Sequence, residues 1–229
     1  MVSERLRPIG GTRIRITKLD ECGIPLTGPG SCSVVTKGFV TVNRTAQFAE
    51  PDEHQLKNAD GELILAERSA PELLWYQLEI TFAEVDPAVI NLLTGNPLVM
   101  DDSATPKAVG YRTKAGAAVN AHFALELWSR AGGEGACAPG GRKYGYYLLP
   151  WVTEGVIGDL AVENAPVSFV ITQARTRLGG GWGVGPYDVL NLSDGSPSPL
   201  LTPIAPDEHD HWQVTTLAPP EPTDGCVEL

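Results

Sequence analysis

His209 and His211, set among Asp207, Glu208 and Asp210, are the residues best suited by type to hold a divalent metal. Imidazole nitrogens and carboxylate oxygens are the ligands such ions take. Residues two apart share a side only on an extended strand. Pro203, Pro206, Pro219 and Pro220 flank the segment, which argues for loop. A catalytic metal takes about three protein ligands, and His54 and His122 lie far off in sequence with no paired motif. No metal site is expected.

A phosphate cradle is the second candidate. Gly179, Gly180, Gly181, Gly183 and Gly185 cluster, but a dinucleotide fingerprint lies between a strand and a helix N-terminus. Here the following GPYDVLNL reads as extended chain. No GxSxG occurs, no serine, histidine and acid can be assigned to a triad, and no carboxylate pair stands out for glycoside hydrolysis. Cys22, Cys32, Cys137 and Cys226 form no CxxC and neighbour no histidine. Reduced thiols are expected, with a Cys22–Cys32 bridge across a short loop as the alternative. Neither a catalytic residue nor a cofactor is expected, and the chain is not expected to be an enzyme.

What remains is architecture. The 229 residues suffice for one domain with a real core, and 42% hydrophobic with 20% charged residues describes a folded chain. The longest apolar run, residues 146–152, is interrupted by Pro150 and falls far short of the roughly 20 residues that span a bilayer. Residues 1–5 lead into no apolar stretch of the kind a cleaved signal needs, so no membrane partner is expected.

Period-two patterns recur. TRIRITKL, residues 12–19, places Ile14 and Ile16 on one face and Arg13 and Arg15 on the other. A proline-glycine loop containing GIPLTGPG leads into SVVTKGFVTVNR, read as one strand. Residues 47–60 have few apolar side chains and no strand pattern, and read as a long loop over 46–61. LLWYQLEITF is the clearest strand, with Leu74, Tyr76, Leu78, Ile80 and Phe82 on one face. The period then changes: Asp86 caps a helix with Pro87 at its first position, Val89, Ile90, Leu92 and Leu93 form its apolar face, and Gly95 ends it. Residues 117–130 alternate as a strand does at Ala121, Phe123, Leu125 and Leu127, despite helix-favouring composition. A glycine-rich turn over 131–143 follows.

Charge is polarised along the chain. The net charge is -11, yet Arg5, Arg7, Arg13, Arg15 and Lys18 face only Glu4 in the first 18 residues. Beyond Arg177 there is no Lys or Arg, and eight acids follow from Asp188 to Glu228. A solvated acidic surface accounts for this, and attraction between the basic and acidic ends of neighbouring copies is a further expectation.

Residues 144–189 run through YGYYLLPWV, the strand VSFVITQA, the Gly179–Gly183 turn around Trp182, and WGVGPYDV. This order resembles the major tail (tail tube) proteins of long-tailed bacteriophages, especially those of actinobacterial hosts. Further likeness lies in the helix after Asp86 and the tail over 200–226, so it covers most of the chain past Leu73. The resemblance implies an antiparallel β-sandwich or partial barrel of the tail tube type with one short helix. It implies a domain over 1–192 with the helix near 87–94, and a Pro/Asp-rich extension over 193–229 packed on a neighbour or flexible. It also implies hexameric rings stacked into a tube in the virion, assembled in host cytoplasm alongside tape-measure, tail-terminator and tail-tip proteins. DNA would pass through the lumen without specific binding, which suits an acidic wall. The long loop of such proteins reaches a neighbouring subunit, and residues 46–61 occupy its place. The subunit-interface candidates are therefore Gln47, Glu50, Asp52, Glu53, Arg13, Arg15 and Trp182. Two other classes stand beside this one: another virion component (tail terminator, decoration or baseplate protein), and a carbohydrate-binding or hydrolytic β-sandwich.

Overall fold

Apolar residues at every second position make strands the dominant element here. The computed structural model describes residues 5–132, 141–164 and 167–229. Its elements are β1 (Pro8–Lys18), β2 (Ser33–Thr36), β3 (Phe39–Phe48), β4 (Glu53–Lys57), β5 (Leu63–Arg68), β6 (Leu73–Phe82), α1 (Pro87–Thr94), β7 (Leu98–Met100) and β8 (Ala108–Tyr111). There follow β9 (His122–Ala131), β10 (Tyr144–Thr153), β11 (Val156–Ile157), β12 (Phe169–Thr176), β13 (Leu190–Asn191), β14 (Pro197–Ser198) and β15 (His211–Thr215). The chain is mainly β and antiparallel with one short α-helix, the class expected from its sequence.

The main sheet runs β2-β1-β9-β10-β12-β6-β3, with β11 added to β12 and β15 to β10. Its two end strands are consecutive in the chain, joined only by Lys37 and Gly38. The run read as one strand therefore divides at that dipeptide and supplies both ends of the sheet. A sheet whose ends are so tethered must curl. Gly11 of β1 shows how closely the ends approach, since a Cβ there would come within 2.5 Å of the Phe39 ring. Irregularities in the β1–β9 register on both sides of Gly11 sharpen the local twist.

The concave side holds the larger core. Ile14, Ile16, Val34, Leu78, Ile80, Phe82, Phe123, Leu125, Val152 and Ile171 pack there against Ala88, Val89, Ile90, Leu92 and Leu93 of α1. The helix begins where Asp86 Oδ1 accepts from Ala88 N at 2.8 Å, and it ends at Gly95 with φ 67°. A second carboxylate oxygen of Asp86 accepts from Gly225 N at 3.1 Å, so one side chain caps the helix and holds the C-terminal tail. Asp86→Ala is expected to lower stability by about 1–2 kcal/mol through loss of the cap, measured by urea unfolding; no change in midpoint would refute this double role.

The convex side is also covered. Trp128, Tyr146 and Leu148 of the sheet pack with Trp182, Val189, Leu200 and Ile204 from the C-terminal part. Residues 193–229, expected on a neighbour or flexible, thus lie against their own sheet, with β15 paired to Tyr144–Leu148 of β10. Residues 117–130 divide into a 3-10 turn at Ala117–Asn120 and strand β9.

Cys32 and Cys226 are bonded to each other, with Cα atoms 5.2 Å apart. This corrects both the expectation of free thiols and the Cys22–Cys32 alternative: strand β2 and the tail bring together residues 194 apart. Cys22 is exposed and free. Cys137, with most of the glycine-rich turn, lies outside the described residues.

Candidate functional site

The interface candidates separate into three groups, with part-exposed Arg13 standing apart from the other two. Arg15 and Trp182 are buried in their own chain, while the residues of 47–53 stand on a projecting arm.

Arg15, expected at a subunit interface on the face opposite Ile14 and Ile16, is 6% exposed. The C-terminal segment covers that face. Its guanidinium donates to both oxygens of Glu126, Nε at 2.5 Å and Nη2 at 2.6 Å. Tyr146 Oη donates to the same carboxylate at 2.7 Å, and the Tyr187 ring lies 3.4 Å from the guanidinium carbon. Glu126 and Tyr146 are fully buried. Burial alone lowers the Arg15 pKa, but the charge and hydrogen bonds of Glu126 outweigh it and the net direction is up. Burial, then the Glu126 charge, pushes the Tyr146 phenol well above its ordinary value. The cluster is a structural lock, with every member engaged by another.

Trp182 is 4% exposed, which removes it from any contact surface. The glycines around it serve close packing. A Cβ on Gly181 would meet the Cys22 carbonyl at 2.4 Å, and one on Gly185 the Trp182 indole at 2.6 Å. Arg13 is part-exposed and lies 3.6 Å from Glu221. Arg44 likewise pairs with Asp210. Arg13, in the basic N-terminal stretch, thus has an acid of the C-terminal segment beside it in its own chain.

His209 and His211 do not converge on a metal site. His209 Nδ1 is 3.2 Å from Thr176 Oγ1, whereas His211, on β15, has Nε2 3.2 Å from Gln213 Oε1. Among the described residues no group of three His, Cys, Asp or Glu side chains is placed to hold an ion. His122 accepts from Trp151 Nε1 at 3.2 Å; burial and then the nearby Arg177 charge lower its pKa.

The segment read as a loop over 46–61 is instead a β-hairpin arm. β3 continues to Phe48, then β4 and β5 pair only with each other, Leu56 opposite Leu65. Asn58 builds the turn: its Oδ1 accepts from Asp60 N at 3.1 Å and Glu62 N at 2.8 Å, and Gly61 takes φ 83°. Every residue of β4 and β5 is exposed. Leu56 and Leu65 are cross-strand partners and share a side, and with Leu63 and Ile64 across the register irregularity beside them they are 48–63% exposed. Glu50, Asp52 and Glu53 stand along the arm, and Gln47 at its base is half-buried opposite Trp75.

No protein-family model matches the chain, and no curated protein matches it in sequence. A two-stranded hairpin is marginal alone in water, and the exposed cluster of Leu56, Leu63, Ile64 and Leu65 is an apolar surface of the kind a partner covers. The sequence signal for it was present in LILAER, an apolar run followed by charges. Its apolar residues face no core of this chain, so no periodicity tied to a core marks it as a strand.

Proposed function

We propose that this chain is a structural subunit of a long-tailed bacteriophage virion, assembling as rings stacked into the tail tube through which DNA passes. The observation that carries this reading is the β4–β5 arm, which presents Leu56, Leu63 and Leu65 to solvent far from the two cores. A repeating ring supplies the missing surface: each copy lays its arm on the next, and the symmetry closes. The curled antiparallel sheet with one helix agrees with the fold that the resemblance implies, and a net charge of -11 suits a wall that must not retain DNA. Hexameric stoichiometry, the virion location, and the tape-measure, terminator and tail-tip partners belong to the same proposal. No residue performs bond-making chemistry in it, and no cofactor enters.

Electron microscopy of the purified chain, with light scattering for mass, tests the reading. Rings or hollow tubes are the expected result. A homogeneous monomer at high concentration, unchanged by added tail-tip proteins, overturns it.

A further inference from the structure

The outer edge of β2 is covered by the chain's own C-terminal residues. Ser33 and Val35 turn their main-chain groups away from β1, and residues 223–227 satisfy all four of them. Ser33 N donates to Val227 O at 2.8 Å, Val227 N to Ser33 O at 2.9 Å, and Thr223 N to Val35 O at 2.9 Å. Val35 N donates to Thr223 Oγ1 at 3.0 Å. Beyond them Gly28 N donates to Leu229 O and Leu229 N to Ser31 Oγ, each at 2.9 Å.

This strap has little apolar burial to hold it. Asp224, Cys226, Val227 and Glu228 are all exposed. Its covalent tie is the bond to Cys32, which is buried, so one end of the disulfide is open to solvent and the other is not. A thiolate reaches such a bond from the exposed side.

We propose that Cys32 and Cys226 form a redox-controlled lock on the β2 edge: bonded, they clamp residues 223–229 over Ser33 and Val35; as two thiols, they let the strap detach. A dithiol reductant performs the release. Its thiolate attacks the Cys226 sulfur, forming a mixed disulfide while Cys32 leaves as a thiolate and takes a proton. The second thiol of the reductant then displaces Cys226. The reductant ends as a cyclic disulfide, and the protein gains two electrons and two protons. Detachment leaves four main-chain groups of β2 facing water, an edge able to pair with another strand. The inference is independent of the tube proposal, because it concerns one chain and its own tail.

Amide hydrogen exchange on the full chain, with and without dithiothreitol, tests it. The peptides spanning 33–36 and 223–229 are expected to exchange on the order of a hundredfold faster after reduction, while those of β9 and β10 keep their rates. The Cys32→Ser/Cys226→Ser double variant is expected to show the fast rates with or without reductant. Three results overturn the lock: alkylation of both cysteines in the unreduced folded protein, exchange that ignores the reductant, or β9 and β10 accelerating in step with the strap. The last would mean that the bond holds the whole fold rather than an edge.

Discussion

Replacing Glu126 with alanine is expected to destabilise the protein by about 3–5 kcal/mol, because a buried ion pair that loses one partner leaves an uncompensated charge. Arg15 would keep its guanidinium between the Trp128 and Tyr187 rings, with both acceptors gone and water excluded. Tyr146 would lose its acceptor as well. Urea unfolding followed by tryptophan fluorescence reads the loss. The double variant Arg15→Met/Glu126→Leu separates the two costs: apolar side chains of similar volume are expected to recover most of the stability, since a buried pair roughly breaks even against a packed apolar substitute. A double variant as unstable as Glu126→Ala would mean that the charges contribute positively. The pH dependence has a definite sign. The folded protein binds the Tyr146 proton more tightly than the unfolded chain, so its contribution is complete below about pH 10 and is lost as pH rises further. Tyr146→Phe is expected to flatten that alkaline decline.

The second large effect concerns assembly. If the proposed rings and tubes form, changing Leu56, Leu63 and Leu65 together to serine is expected to abolish them while leaving the monomer folded. Burying three leucines is worth roughly 5–9 kcal/mol, which corresponds to about four to six decades in association constant. The fold should be spared, because β4 and β5 pair only with each other and lie outside both cores. Light scattering gives the mass, and circular dichroism with thermal unfolding gives the fold. Rings that persist in the triple variant would place the assembly contact elsewhere on the chain; a variant that melts far below the parent would show the arm to be part of the monomer's own stability.

Legibility of the fold in the sequence followed burial. β6 and α1 were readable to the residue, because Leu78, Ile80 and Phe82 alternate into the core and Asp86, Pro87 and Gly95 are chemically specific stops and starts. β4 and β5 were not, since strands that bury nothing on their own chain carry no period tied to a core. The convex core was hidden for another reason. Residues 193–229 contain many prolines and acids, and such a stretch looks unable to pack until the sheet it lies on is known. Arg15 reads as an interface residue for the same reason: a basic side chain on a strand has no visible partner when its acid lies 111 residues away. The clue was Glu126 itself, a single acid within the apolar HFALELW run of β9. For the candidate interface, position along the chain located the arm but named its acids, whereas the leucines beyond them carry its apolar face.

The continuity of β2 and β3 bears on how the chain must fold in time. Both end strands are made early in synthesis, but β1 has no inner neighbour until β9 is made, and Arg15 no counter-ion until Glu126 appears. At elongation rates of about 5–20 residues per second that interval is roughly 5–20 s. Through it the nascent chain carries a half-paired sheet with an unneutralised guanidinium at its centre, a high-contact-order topology of the slow-folding kind. A guanidinium without its buried acid belongs in water, so the Arg15 face of β1 closes only when β9 brings Glu126 to it.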